Sequence, residues 1–202
     1  MKDSLKENYP SVGIVTPVHN NREDTREFLE SLKQVKYPNY KIIIVDDGSA
    51  DGTEKMIKEE YPEVILIRGD GNLWWSRATN IGIKKARDIG MDYILLGDND
   101  CIVNKEWILA LVETAERNPR SLVFSKTYFY HEPNKICVVG WKMNWWRGDL
   151  GPIGRNEIDK GQYDEHCQVK AATMGLLINT CLLYTSDAAD ELDGVDLGGR
   201  RI

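Results

Sequence analysis

Apolar runs and helical patterns alternate along the first half of the chain, and this alternation limits the possible folds more than any other feature. Four aliphatic runs have the length of buried strands, at residues 12–16, 41–45, 64–67 and 93–96. Between them, apolar residues recur at helical spacing. Strands that alternate with helices favour a mainly parallel open sheet with helices on both faces, so the predicted fold class is α/β.

The helices of this pattern have recognisable stop signals. We predict helices over residues 28–35, from Thr53 onward, over 78–89 and over 105–118. Pro38 ends the first of them and Gly90 ends the third. From Pro119 onward the pattern loosens into short apolar runs, without a repeat or a linker. A single domain is therefore predicted over residues 1–180.

Composition narrows the class of partner. The chain has 202 residues, of which 42% are hydrophobic and 29% charged, and this suits a globular domain with a hydrophobic core. A formal net charge of −6 argues against nucleic acid, which binds to basic surfaces. The N-terminus lacks the apolar core of a signal peptide, and no apolar run reaches the roughly 18 residues that span a bilayer. We expect a cytoplasmic protein whose four cysteines are reduced.

The last stretch, residues 181–202, resembles translated sequencing primers. A transposase-type adapter can encode residues 181–190 codon by codon, and the reverse complement of a flow-cell primer can encode residues 195–202. We predict that the natural sequence ends near Thr180 and that the rest is a non-native, adapter-derived tail. The alternative is an acidic natural tail.

Polar residues follow three of the four predicted strands, at residues 17–20, 46–49 and 98–100. Because open parallel sheets bind ligands beyond the carboxyl ends of their strands, we expect these clusters to share one site. Taken singly, each acidic cluster could be only a turn, with an Asp that caps the next helix. Two carboxylates one residue apart, together with diphosphate oxygens, would suit Mn²⁺ or Mg²⁺.

Four motifs, in this order, resemble those of family 2 glycosyltransferases. They are Pro17-Val18-His19-Asn20 (family pattern P-x-[YH]-N), residues 45–53 (VDDGSxDGT), Asn80-Ile81-Gly82 and Asp98-Asn99-Asp100 (DxD). Residues 69–75, GDGNLWW, narrow the resemblance to bacterial rhamnosyl- and galactofuranosyl-type members. The resemblance covers residues 11–180 and implies a GT-A-type fold for nucleotide-diphospho-sugar transfer.

The resemblance implies a nucleotide pocket built from the matching residues. Pro17 and His19 would line the base pocket, with the His19 ring against the nucleobase. Asp47 would accept a hydrogen bond from the base, and Asp46 is the less favoured contact. The other nucleotide-sugar-binding residues implied are Asn20, Gly71, Asn72, Asn80 and Asp98.

A metal site is also implied. Asp98 would approach the ribose or diphosphate, and Asp98 and Asp100 would hold Mn²⁺ or Mg²⁺. Cleavage at the anomeric carbon leaves a diphosphate with growing negative charge, which a cation stabilises without any proton transfer.

The implied reaction is inverting transfer from a UDP- or dTDP-sugar to a cell-surface glycan or lipid-linked glycan, with peripheral association at the inner face of the membrane. The family's general base, an Asp or Glu, usually follows a segment like residues 170–178, so we expect it beyond residue 180, in a missing C-terminal part. A truncated nucleotide-binding fragment without turnover is one alternative. A nucleotidyltransferase is the other, but the expected Gly-rich basic loop is replaced here by residues 17–22.

Two groups of tryptophans have two interpretations each. Trp74 and Trp75 would either shape the donor pocket or plug the core where a helix begins. Trp141, Trp145 and Trp146 would either form a sugar-stacking platform for the acceptor or pack in the core or at an interface, and packing is the favoured interpretation.

Overall fold

A computed structural model describes residues 9–164, 168–171 and 175–183 of the chain. The strands in this part are β1 (Val12–Val18), β2 (Tyr40–Asp46), β3 (Ile65–Arg68), β4 (Tyr93–Leu96), β5 (Val123–Phe124), β6 (Thr127–Phe129), β7 (Glu132–Val138), β8 (Gly140–Asn144), β9 (Asp149–Ile153) and β10 (Leu176–Asn179). The helices are α1 (Arg22–Leu32), α2 (Thr53–Glu60), α3 (Trp74–Asp88) and α4 (Trp107–Arg117).

Six strands form one sheet in the order β3-β2-β1-β4-β10-β5. The first four pair in parallel, and β10 pairs antiparallel with both β4 and β5. The predicted mainly parallel α/β sheet is confirmed. The antiparallel strand β10 was not predicted, because its partners lie far away in sequence and local periodicity says nothing about them.

All four predicted helices are present, but two of them begin earlier than predicted. α1 begins at Arg22 rather than at residue 28, and it ends at Leu32 rather than at residue 35. α3 begins at Trp74 rather than at residue 78. The first turn of α1 is polar and largely exposed, so it lacks the apolar spacing on which the prediction depended. The first turn of α3 is exposed as well, although it holds Trp74 and Trp75.

The core lies on both faces of the sheet, because successive strand residues point to opposite sides. Ile14 and Ile44 face the larger cluster, which includes Phe28 of α1, Ile57 of α2 and Ile108 of α4. Val15, Ile43 and Ile94 face the smaller cluster, into which α3 contributes Ala86. Helices therefore cover both faces, as predicted, and α3 is the helix that covers the second one.

Two antiparallel hairpins, β6–β7 and β8–β9, follow the last helix and lie outside the main sheet. Of the predicted tail, the structure describes only residues 181–183, where Leu183 packs on the smaller core cluster. Residues 184–202 lie outside the described residues, and the origin of the tail stays a prediction.

Within the described part, none of the helices has the length and hydropathy of a membrane span. Cys101, Cys137 and Cys181 form no disulfide there, as expected for reduced thiols.

Candidate functional site

The polar clusters that follow β1, β2 and β4 lie at the same edge of the sheet, because these three strands are parallel neighbours. They surround a cavity of about 330 Å³. Its lining residues are Pro17, Val18, His19, Asp47, Gly71, Trp74, Trp75, Ala78 and Asn99. Four of them, Pro17, His19, Asp47 and Gly71, are residues that the sequence analysis assigned to a nucleotide-sugar site.

The loops after β1 and β2 are tied together through Asn20, Ser49 and Asp46. The Asn20 backbone N–H donates to Ser49 Oγ at 2.7 Å, and the Ala50 N–H donates to Asn20 Oδ1 at 3.0 Å. Ser49 in turn donates to Asp46 Oδ1 through its backbone N–H at 3.0 Å and through its hydroxyl. Asp46 is 1% exposed, and its Oδ1 closes the turn while its buried Oδ2 has no hydrogen-bond partner.

Asp47 fixes the turn that leads into α3. Its Oδ1 accepts a hydrogen bond from the Gly71 N–H at 2.8 Å, and its Oδ2 accepts from the N–H groups of Leu73 at 2.9 Å and Trp74 at 3.0 Å. Burial opposes ionisation, but the backbone donors of Trp74, Leu73 and Gly71 outweigh it, so the pKa of Asp47 lies below its ordinary value. The carboxylate stays charged and has about one lone-pair site left for a ligand.

His19 extends from the end of β1 with an exposed ring. Its Nδ1 lies 2.6 Å from the backbone oxygen of Asp47. A carbonyl oxygen only accepts, so Nδ1 carries the proton and, in the neutral ring, Nε2 is an acceptor. The hydrogen bond holds the imidazole against the loop that carries Asp47, at the wall of the cavity.

The acidic turn after β4 presents two carboxylates of different exposure. Asp98 is half-buried and Asp100 is exposed. Burial and the charge of Asp100 raise the pKa of Asp98, while a side-chain hydrogen bond with Trp75 lowers it. Between them, Asn99 turns inward and donates through Nδ2 to Thr25 Oγ1 at 3.0 Å.

The described residues contain no group of three or more metal-ligating side chains. A divalent cation at this turn would need oxygens from its ligand in addition to Asp98 and Asp100, and Mg²⁺ and Mn²⁺ sites at phosphates are commonly built in this way. The neighbouring Cys101 thiol does not compete with these carboxylates for a cation, because burial and the Asp100 charge raise its pKa to about 12 and keep it protonated. The two carboxylates therefore fit a hard cation held jointly with a diphosphate.

The exposed tryptophans decide one of the open interpretations. Trp74 is 82% exposed and Trp75 is 56% exposed, and both line the cavity, so the core-plug interpretation is wrong. Trp145 and Trp146 lie at the tip of the β8–β9 hairpin and are 79% and 100% exposed, so core packing does not describe them either. Trp141, within β8, is partly buried.

Some predicted residues do not line the cavity, and some lining residues were missed. The predicted residues that do not line it are Asn20, Asp46, Asn72, Asn80, Asp98 and Asp100. Asn72 and Asn80 are exposed, on the turn and on α3. Val18, Ala78 and Asn99 line it without having been predicted. All three lie in or near the matched motifs, but a motif does not state which of its side chains points inward.

Solved structures share this fold at low sequence identity. The TarS fragment 1–349 of S. aureus, in complex with UDP-GlcNAc, superposes with a TM-score of 0.60 and 18% identity, over 88% of this chain and 47% of that one. The mannosyltransferase PcManGT of Pyrobaculum calidifontis, in complex with GDP-Man and Mn²⁺, gives a TM-score of 0.56 and 18% identity, over 71% of this chain and 44% of that one. These similarities establish a GT-A glycosyltransferase fold.

A curated relative is the glycosyltransferase GlyG of Streptococcus pneumoniae serotype 4, which is 28% identical over 126 residues. The match covers 60% of this chain and 40% of GlyG, so the chain spans less than half of the relative's length. The model of the family described as Glycosyl transferase family 2 matches residues 13–189. That span is most of the 202 residues, and the chain therefore belongs to glycosyl transferase family 2.

Proposed function

We propose that this chain is the donor-binding part of an inverting, metal-dependent glycosyltransferase that uses a UDP- or dTDP-sugar. The observation that carries the proposal is the convergence of residues from three strand ends on one cavity, with Pro17, His19 and Asp47 among its walls. A nucleoside diphosphate has a flat base and an anionic tail. The cavity offers aromatic and apolar walls, and the acidic turn for a cation lies next to it.

The base pocket is assigned to Pro17, His19 and Asp47. The exposed His19 ring is held in place through Nδ1, so its face is available for stacking on a nucleobase. Asp47 has lone-pair capacity left for the N–H group of a uracil or thymine ring. Asn20 and Asp46 support the pocket by tying its two loops together.

The metal is assigned to Asp98 and Asp100, with Mn²⁺ or Mg²⁺ as the cation. Burial and the charge of Asp100 both raise the pKa of Asp98, and a bound divalent ion would offset both by stabilising the charged carboxylates. When bound, such an ion stabilises the negative charge of a departing diphosphate as a Lewis acid. The Mn²⁺ named with PcManGT, whose fold is shared, supports this choice.

The acceptor is proposed to be a cell-surface glycan or lipid-linked glycan, reached by peripheral association with the cytoplasmic face of a membrane. The sugar is proposed to be of the rhamnosyl or galactofuranosyl type, from the GDGNLWW segment at residues 69–75. We place the general base beyond residue 180. Of the described carboxylates that follow the hairpins, Asp159 and Asp164 lie 2.7 Å and 2.9 Å from Lys126 Nζ, and Glu157 accepts hydrogen bonds from Gln162 and Tyr163.

The test is a calorimetric titration of the 202-residue chain with UDP, dTDP and GDP, each with and without Mn²⁺. UDP or dTDP should bind, and binding should weaken at least tenfold without the metal, which corresponds to about 1.4 kcal/mol. Asp100→Ala should remove the metal dependence while the thermal unfolding midpoint stays unchanged, because Asp100 is exposed.

Asp88→Ala is the matched control. It removes an exposed carboxylate at the far end of α3 and should bind as the unmodified chain does. Absence of nucleotide binding by the folded chain would contradict the proposal. Binding that Asp100→Ala leaves equally dependent on Mn²⁺ would contradict the metal assignment alone.

A further inference from the structure

Trp74 has a backbone conformation that tryptophan rarely adopts. Its φ is +57°, in the left-handed region. The other non-glycine residues with positive φ in the described part of the chain are all asparagines: Asn20, Asn21 and Asn156. Asparagine tolerates this region, whereas for a bulky residue it is a strained outlier that persists only when its surroundings enforce it.

The enforcing group is the Asp47 carboxylate. It accepts the Trp74 N–H at 3.0 Å and the Leu73 N–H at 2.9 Å on one oxygen, and the Gly71 N–H at 2.8 Å on the other. These hydrogen bonds are charge-assisted, because the pKa of Asp47 lies below its ordinary value. The residue assigned to base recognition is therefore also the residue that sets the direction of the Trp74 side chain.

Folding buries little of the Trp74 indole. It is 82% exposed although it is the largest kind of apolar side chain, and it lies at the wall of the cavity that His19 also lines. Its neighbour Trp75 lines the same cavity but is less exposed, at 56%, and makes a side-chain hydrogen bond with Asp98. A strained backbone and an unburied indole are both costs to the unliganded protein, so a ligand that covers the indole would account for them.

We propose that Trp74 is a base-stacking residue, which gives the nucleobase a second aromatic surface in addition to the His19 ring. The proposal rests on the proposed nucleotide site and adds a residue to it that selects for a flat ring. Because Asp47 fixes the turn, the indole is held in position before the nucleotide arrives. Base–aromatic stacking is tolerant of base identity, so Trp74 contributes affinity for any flat base. Asp47 contributes selectivity, because it accepts a hydrogen bond from the edge of the base.

The experiment compares Trp74→Ala, Trp74→Gly and Trp74→Phe in the 202-residue chain, by titration with UDP and with uridine in the presence of Mn²⁺. The alanine and glycine variants should bind both ligands roughly ten- to a hundredfold more weakly, as expected for a lost stacking partner. Trp74→Phe should recover most of the affinity.

Thermal unfolding separates this role from a structural one. Trp74→Gly should raise the unfolding midpoint of the unliganded chain, because glycine adopts positive φ without strain, while it weakens UDP binding. Trp74→Ala should weaken binding without this gain in stability. Opposite changes in stability and affinity are not expected of a residue that merely supports the fold.

Trp146→Ala is the control, since this indole is fully exposed at the hairpin tip, and it should bind UDP normally. If the unmodified chain binds UDP and the Trp74 variants bind it equally well, the inference is overturned while the proposed function stands. If those variants lose affinity for UDP but not for uridine, the indole contacts the diphosphate rather than the base, and base stacking is wrong. If the unmodified chain binds no nucleotide, the proposed function fails and the inference fails with it.

Discussion

Asp47 has both a structural role and a place in the candidate site, since its carboxylate fixes a turn and also lines the cavity. Its charge is stabilised in the folded state by three backbone N–H groups. A carboxylate whose pKa is depressed on folding contributes stability above the unfolded-state pKa of about 3.9. That contribution is lost as the pH falls through the lower pKa of the folded state.

We therefore expect Asp47→Asn to lower the unfolding midpoint at neutral pH, because the amide replaces one accepting oxygen by a donor that faces other donors. The difference from the unmodified chain should shrink in acid, where Asp47 itself takes up a proton. This difference in unfolding midpoint is measured by thermal unfolding of both proteins across a series of pH values. Asp88→Asn serves as an exposed control, and a difference that does not change with pH would show that ionisation of Asp47 is irrelevant to the turn.

At the scale of elements, the close approach of α3 to the sheet depends on Gly82. A Cβ at this position would lie 2.3 Å from Val15 Cγ1 and 3.4 Å from Val45 Cγ2. Alanine is the better helix former by about 1 kcal/mol, but inserting a carbon into a packed core costs typically 1–3 kcal/mol. The side-chain contact at 2.3 Å is far inside van der Waals distance, so the packing cost should exceed the helix gain.

Gly82→Ala should thus destabilise the chain by about 1–2 kcal/mol, as measured by denaturant unfolding. Val15→Ala provides a double-mutant cycle. It removes the clashing methyl groups, so in the Gly82→Ala background it should cost less stability than it does alone. Additive effects of the two substitutions would mean that the helix shifts away from β1 rather than pressing on it.

The elements that sequence reasoning predicted well are those with a local signature. β4 has the predicted bounds, and β1 and β2 extend beyond theirs by one or two residues, because aliphatic runs mark buried strands directly. The strand β10 was missed since it pairs with strands about fifty or more residues away in sequence. The polar first turn of α1 was missed because exposed turns have no apolar periodicity.

At the scale of the whole molecule, strand order explains why separate motifs form one site. With β1 between β2 and β4, the residues that follow all three strands meet at one edge, and the motifs contain those residues. The motifs could not give side-chain direction. Asn80 points to solvent although Gly82 in the same motif is packed, and Trp74 reaches the cavity only through a left-handed backbone that no periodicity encodes.

The last prediction concerns the 202-residue chain as a unit: it should bind a sugar donor and not turn it over. The described carboxylates nearest in sequence to the expected base are Asp164 and Asp159, and both are paired with Lys126, while Asp159 also accepts from the Tyr128 hydroxyl. The Lys126 and Tyr128 side chains and the Gly161 N–H lower the pKa of Asp159 to about 2, and a group of such low basicity is a poor acceptor for the proton of a sugar hydroxyl. UDP-galactofuranose with Mn²⁺, a donor of the proposed type, should therefore raise the unfolding midpoint, as any ligand of the native state does, while release of UDP stays at the level of the donor alone in buffer. Steady UDP release that Asp159→Asn abolishes would place the base within this chain and contradict its assignment beyond residue 180.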